Sequence, residues 1–129
     1  MVAPSDRDGG RKTLGQQGEA LTAAFLERKG YAILCRNYRC RSGEVDIIAR
    51  KKKLICFIEV KTRRTDRFGQ PEEAVTPHKQ RKIGRAAQDF LLRHRLEDQP
   101  ARFDVAAVDF STGGGIINYI ENAFELQAG

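Results

Sequence analysis

Three acids and a lysine interrupt two stretches that otherwise have the composition of β-strands. The first is Glu44-Val45-Asp46-Ile47-Ile48-Ala49, and the second runs from Leu54 through Lys61, with a lysine-rich turn between them. Side chains alternate along a strand, so Glu44 and Asp46 share a face of the first, and Glu59 and Lys61 share a face of the second. If Arg50 pairs with Ile55 across the turn, Asp46 stands opposite Glu59 and Glu44 opposite Lys61, all on one side of the sheet. A slip of one residue sends Asp46 and Glu59 to opposite faces. Carboxylates held directly opposite each other repel, and a bound cation reverses the sign of that interaction. Mg²⁺ and Mn²⁺ favour hard oxygen ligands, often one or two carboxylates completed by water and substrate phosphate. The chemistry that fits is hydrolysis of a phosphodiester, the ion polarising the phosphoryl oxygen and activating water, while Lys61 positions that water or offsets charge on phosphorus. The plain alternative is a set of surface ion pairs, Glu44 with Lys61 across the strands and Glu59 with a nearby arginine.

The elements that must hold these residues follow from periodicity and end signals. A helix is expected from about Lys12 to Lys29, closed by Gly30. Leu14, Gly18, Leu21 and Phe25 recur at helical spacing as its core stripe. Glu19 falls on the flank with Ala23 and Leu26, where periodicity alone leaves it exposed. Tyr31 to Tyr38 is the next strand, and Arg39 to Gly43 turns the chain into the acid-bearing hairpin. A loop containing Phe68, Gly69 and Pro71 follows Lys61. Thr76-Pro77 reads as an N-cap with proline in the first turn. The helix it opens, to Leu96, buries Ile83, Ala87, Phe90 and Leu91, with Gln80 on the same inward stripe, where an amide needs a partner. Arg102 to Phe110 and Ile116 to Ile120 are strands around a hairpin turn at Ser111 to Gly115. The order is helix, three strands, helix, two strands, which implies an α/β fold with a central mixed β-sheet flanked by helices. Residues 1–12 are expected to be a flexible tail and 13–126 a single domain.

A chain of 129 residues, 40% hydrophobic and 31% charged, suits one domain with a modest core. No apolar run approaches the roughly 20 residues that span a bilayer, and the first residues lack the apolar region of a signal peptide. A cytoplasmic protein without membrane association is expected. Cys35, Cys40 and Cys56 are odd in number and form no C-x-x-C pair, which favours reduced thiols. Cys35 and Cys40 with His78 or His94 lack the closely spaced ligand pairs of a structural zinc site. The formal charge of +6 is concentrated in clusters, from which Arg41, Lys51, Lys52, Arg63, Arg64, Lys79, Lys82 and Arg85 are candidate contacts to nucleic-acid phosphates. Such contacts grip the backbone and do not read sequence, and the chain carries no helix-turn-helix, zinc finger or aromatic RNA-binding motif.

The run from Gly15 to Arg64, with G-E-x-D at Gly43 to Asp46 and E-V-K-x-R at Glu59 to Arg63, and the later RFDVAAVDF resemble the bacterial YraN-like proteins. That resemblance covers about Leu14 to Phe124. It implies a restriction-endonuclease-like fold similar to archaeal Holliday junction resolvases. In the wider PD-(D/E)xK nuclease superfamily the aspartate and the E-x-K triplet bind metal and activate water, and here these match Asp46, Glu59 and Lys61. The acid on the first helix of resolvase-like members matches Glu19, as a further metal ligand, and the polar residue of the following helix matches Gln80. Glu44 is not a standard ligand of the superfamily. The resemblance thus implies a Mg²⁺- or Mn²⁺-dependent endonuclease acting on DNA, with branched DNA as a substrate and a homodimer as the working form. The alternative is a non-catalytic nucleic-acid-binding protein on the same fold.

Overall fold

The structure is a computed structural model and describes residues 12–64 and 75–125. The tail up to residue 11, the loop with Phe68, Gly69 and Pro71, and Leu126 lie outside the described residues. Seven elements follow one another: α1 (Leu14–Arg28), β1 (Ala32–Cys40), β2 (Gly43–Lys51), β3 (Leu54–Arg63), α2 (Pro77–Arg93), β4 (Ala101–Asp109) and β5 (Ile116–Ile120). This is the order the sequence predicts. The strands form one mixed sheet in the order β1-β2-β3-β4-β5. Only β3 and β4 run parallel, and α2 is the crossover that a parallel pair requires.

The helices cover opposite faces of the sheet. Ala23 and Leu26 of α1 pack with Ile47, Ala49, Cys56, Ile58 and Ala106. Ile83, Ala86, Ala87 and Phe90 of α2 pack with Val45, Ile48, Phe57 and Val105 on the other side. A central strand covered on both faces must be apolar at every position, which accounts for the unbroken buried run from Ile55 to Ile58. Each such side chain removed from water contributes roughly 1.5–3 kcal/mol.

Several boundaries differ from expectation. The first helix begins at Leu14 because Thr13 caps it: the Thr13 hydroxyl accepts the Gln16 N–H at 3.1 Å and the Gln16 side chain accepts the Thr13 N–H at 2.9 Å. It closes at Arg28, with Gly30 in the left-handed region at φ 91°. Its buried stripe is Gly18, Thr22, Ala23 and Leu26, rotated from the expected Leu14, Gly18, Leu21 and Phe25. The cause is a close approach at Gly18, where a Cβ would lie 2.0 Å from the Thr62 methyl on β3. Thr22 tolerates full burial because its hydroxyl donates to the Gly18 carbonyl at 2.8 Å. The rotation carries Glu19 to the margin of the buried face, so it is half-buried where periodicity left it exposed. The second helix is capped by Thr76, as expected, but ends at Arg93, short of Leu96. β1 extends to Cys40, which tightens the turn before β2 to Arg41 and Ser42.

A second polar cluster closes the far side of the sheet. Asp104 on β4 is fully buried. It accepts two bonds from Arg102 at 2.8 and 2.9 Å, one from the Tyr119 hydroxyl at 2.6 Å and one from the Asn122 N–H at 2.9 Å. A buried carboxylate is tolerated when paired and hydrogen-bonded in this way, and the bonds tie β5 to β4. Among the described residues no helix is long and apolar enough to cross a membrane.

Candidate active site

The hairpin register decides whether the acids can meet. Arg50 pairs with Ile55, and the ladder runs on to Ile47 and Ile58. One step further, where Asp46 faces Glu59, side chains take over the pairing. The Asp46 carboxylate accepts the Val60 N–H at 2.8 Å, so it occupies the place of a strand partner. The Glu59 carboxyl is hydrogen-bonded to Asp46. Glu59 is the more enclosed of the two, with 4% of its side chain exposed, and its Oε2 lies 3.8 Å from Lys61 Nζ and 3.5 Å from Lys79 Nζ. Lys61 comes from the same strand two residues on, and Lys79 from the first turn of α2. Two acids and two ammonium groups therefore meet at the end of the β2–β3 pairing.

Both acids hold their protons more tightly than usual. Burial pushes the Glu59 carboxyl up to about 7, and the charge of Asp46 adds to this, while Lys79 and Lys61 oppose it. Asp46 is also raised, by burial, against the lowering effect of the Val60 N–H and of the Glu59 hydrogen bond. Below about pH 7 the pair thus carries a proton on the Glu59 side, donated to Asp46. That shared proton relieves repulsion between two acids in one confined space.

Glu19 joins this field from α1. Its pKa is raised by burial and then by the charge of Asp46, against lowering by Asn37, Arg36 and Arg39. Among the described residues no three His, Cys, Asp or Glu side chains gather around one point, so Glu19 stands beside the Asp46–Glu59 pair without closing a three-acid cluster. Asn37 holds it, donating from Nδ2 to Glu19 Oε1 at 3.1 Å. Asn37 sits within β1 at φ 54°, and Arg36 and Tyr38 pair with Ile47 and Val45, which sets Asn37 across from Asp46. A left-handed non-glycine residue inside a strand points to a functional constraint. Asparagine in the interior of a strand, a type that tolerates this conformation, is the sequence signal for this position.

The other candidates are distributed unevenly. Gln80 finds the partner its inward position requires in the Val75 carbonyl, at 2.9 Å, so among the described residues it is tied to the start of α2 and not to the acids. Glu44 pairs with Arg39 across β1 at 3.5 Å and not with Lys61, because β1 supplies the nearer cation. Lys82 and Arg85 continue the α2 face beyond Lys79, and Arg41 stands at the turn into β2. Arg63 lies in register with Asp109, and Arg64 follows at the exposed end of β3. Lys51 and Lys52 are elsewhere. They belong to the turn at the opposite end of the hairpin, about 20 Å from Asp46 by strand rise, with Lys51 Nζ over the Tyr31 ring at 5.1 Å. The cations at the acids are thus Lys61 and Lys79, with Lys82 one turn further along α2, and the lysine-rich turn is not among them.

The donor set suits a hard divalent cation, since Asp46 and Glu59 offer only carboxyl oxygens and their mutual repulsion is what a cation would remove. It also sets a pH dependence of stability. Glu59 is raised in the folded state, so the native protein binds more protons than the unfolded chain between about pH 4.5 and 7, and stability falls as pH rises through that window. Glu59→Gln keeps the shape and a donor for Asp46 but removes the ionisation. Its advantage over wild type is expected to be small at pH 5 and to grow to on the order of 2 kcal/mol at pH 8 without divalent metal. Thermal unfolding at the two pH values checks this, and a variant less stable than wild type at pH 8 would contradict it.

Comparison with known proteins gives one consistent result. The sequence profile of the uncharacterised protein family UPF0102 matches residues 18–108, which includes Glu19, Asp46, Glu59, Lys61 and α2. The chain is 54% identical over 116 residues to a UPF0102 protein of Geobacter sulfurreducens, covering 89% of this chain and 91% of the relative. It is 51% identical over 115 residues to one of Geobacter metallireducens, covering 89% and 94%. With one of Anaeromyxobacter dehalogenans it shares 43% identity over 126 residues, covering 97% and 94%.

Proposed function

The chain belongs to the uncharacterised protein family UPF0102, and from the acids that lie within the matched region we propose that it is a Mg²⁺- or Mn²⁺-dependent nuclease hydrolysing DNA phosphodiesters, with structured or branched DNA as its substrate. The observation that carries this is the hydrogen-bonded Asp46–Glu59 pair, flanked by Lys61 and Lys79 at 3.8 and 3.5 Å from Glu59. The sheet-and-two-helix architecture is compatible with the restriction-endonuclease-like fold that the sequence resemblance implies. Asp46 and Glu59 are the residues that would hold the cation. When bound, Mg²⁺ or Mn²⁺ supplies Lewis acidity toward the phosphoryl oxygen and lowers the pKa of water. The chain's own residues do the rest. Lys61, partly exposed, orients the attacking water or balances charge on the phosphoryl oxygens, and Lys79 does the same from α2. Glu19, held by Asn37, adds negative charge beside Asp46, and Gln80 fixes the helix start that carries Lys79. The proposed protein is cytoplasmic and works as a homodimer that cuts two strands symmetrically.

A second reading has specific support. Lys61 and Lys79 already balance Glu59, so the acids can equally serve as an internal ion cluster in a non-catalytic DNA-binding protein. Purified protein incubated with four-way-junction and linear DNA in Mn²⁺ separates the two. Cleavage that is absent from Asp46→Asn and Glu59→Gln supports the nuclease; equal activity in the variants, or salt-sensitive binding without cleavage, overturns it.

A further inference from the structure

We propose that the cavity at the β1–β2 turn is a phosphate subsite, which holds a backbone phosphate of the bound DNA to one side of the acid pair; it rests on the proposal of a DNA substrate but not on catalysis. The cavity measures about 210 Å³ and is lined by Arg39, Arg41, Ser42, Glu44 and Lys82 over the backbone of Gly43. Three cations face one carboxylate there. Glu44 is engaged by Arg39 at 3.5 Å, which leaves Arg41 and Lys82 to attract an anion, with the Ser42 hydroxyl as a further donor.

The place of the cavity is fixed by backbone contact. A Cβ on Gly43 would stand 2.0 Å from the Lys82 carbonyl oxygen, so the turn rests directly on α2, and Arg41 and Lys82 are brought to one hollow by two separate elements. Lys82 is three residues beyond Lys79, one turn along the same helix face, and Lys79 reaches Glu59. Cations therefore run from the cavity through Lys82 and Lys79 to Lys61. Gly43 and Asp46 are about 10 Å apart by strand rise, so a phosphate in the cavity is a flanking one on the same strand and not the one that meets Asp46 and Glu59. A concave, doubly cationic hollow in line with the acids suits a polyanion that passes along the sheet end.

The test is fluorescence anisotropy with a labelled DNA four-way junction in EDTA, so that binding is read apart from cleavage. Arg41→Gln and Lys82→Gln are each expected to weaken binding by about tenfold at moderate salt and to lower the salt slope by about 1, whereas Lys52→Gln, at the far end of the hairpin, changes affinity by less than about twofold. Arg41 is exposed, so its variant does not threaten the fold; Lys82→Arg serves as the charge-retaining control on the helix. Single neutral methylphosphonates placed along the strand should weaken wild type most at one position, and that loss should vanish in the Arg41→Gln/Lys82→Gln double variant. Equal weakening by Lys52→Gln, wild-type affinity in the cavity variants, or losses that simply add at every position would overturn the subsite. So would the absence of DNA binding. If the cavity variants behave as expected but no protein cleaves in Mn²⁺, the subsite stands and the nuclease falls. If wild type cleaves and the cavity variants bind normally, the subsite alone falls.

Discussion

Replacing Asp46 by Asn is expected to reduce Mn²⁺-dependent DNA cleavage by at least about 10³-fold, equivalent to roughly 4 kcal/mol of transition-state stabilisation, without loss of the fold. The substitution isolates chemistry from structure because of what Asp46 does in each role. Its carboxylate accepts the Val60 N–H at 2.8 Å where the strand ladder ends, and an amide oxygen accepts that bond equally well. What Asn cannot supply is the negative charge that the pair needs to hold a cation. Removing the Asp46 charge also takes away one of the effects that, after burial, raise the proton affinity of Glu59. A melting temperature equal to or above that of wild type is therefore expected at pH 8 in the absence of metal. Cleavage rates under single-turnover conditions, with thermal unfolding of the same preparations, check both parts. Lost activity accompanied by a lower melting temperature would place Asp46 among residues that only support the fold.

Gly43→Ala is expected to cost about 3 kcal/mol of stability, the largest single effect among conservative changes near the site. The Cβ would meet the Lys82 carbonyl oxygen at 2.0 Å, its carbonyl carbon at 3.0 Å and the Ala86 N at 3.1 Å. All three are backbone atoms within α2, and none can rotate aside as a side chain would. Gly18 makes an instructive contrast. There the 2.0 Å contact is with the Thr62 methyl, a side-chain group with other rotamers, and alanine is the better helix former by about 1 kcal/mol. Denaturant midpoints of the two variants should therefore fall in the order Gly43→Ala well below Gly18→Ala, and the reverse order would contradict the packing described here.

Much of the site was legible because strands impose a strict period of two. Asp46 and Glu59 could be set opposite each other from the hairpin alone, and the Arg50–Ile55 pairing is the register found. Helical periodicity served less well, because it ranks faces by side-chain size. The α1 stripe turned out to be centred on Gly18 and Thr22, residues that approach β3 through smallness and a local hydrogen bond. Glu19 then moved toward the site by a rotation that no hydrophobic count registers. Ion partners were least legible, since they depend on elements distant in sequence. Glu44 was matched with Lys61 from its own hairpin, whereas β1 brought Arg39. Lys79, a candidate phosphate contact by sequence, is the nearer cation to Glu59. Lys51 and Lys52, the densest charge in the acid-bearing segment, sit at its wrong end. Asp104 carries no local sign of its role, because its partners Tyr119 and Asn122 come from β5 and the turn after it.

The central claim is that Asp46 and Glu59 form one cation site, and calorimetric titration of Mn²⁺ into the protein at pH 8, without DNA, tests it most directly. The expected result is one ion bound per chain by wild type, with affinity falling as pH drops through about 7 and Glu59 takes up its proton, and at least about a tenfold loss in both Asp46→Asn and Glu59→Gln. Wild type that binds no Mn²⁺, or variants that bind it as tightly as wild type, would contradict the claim.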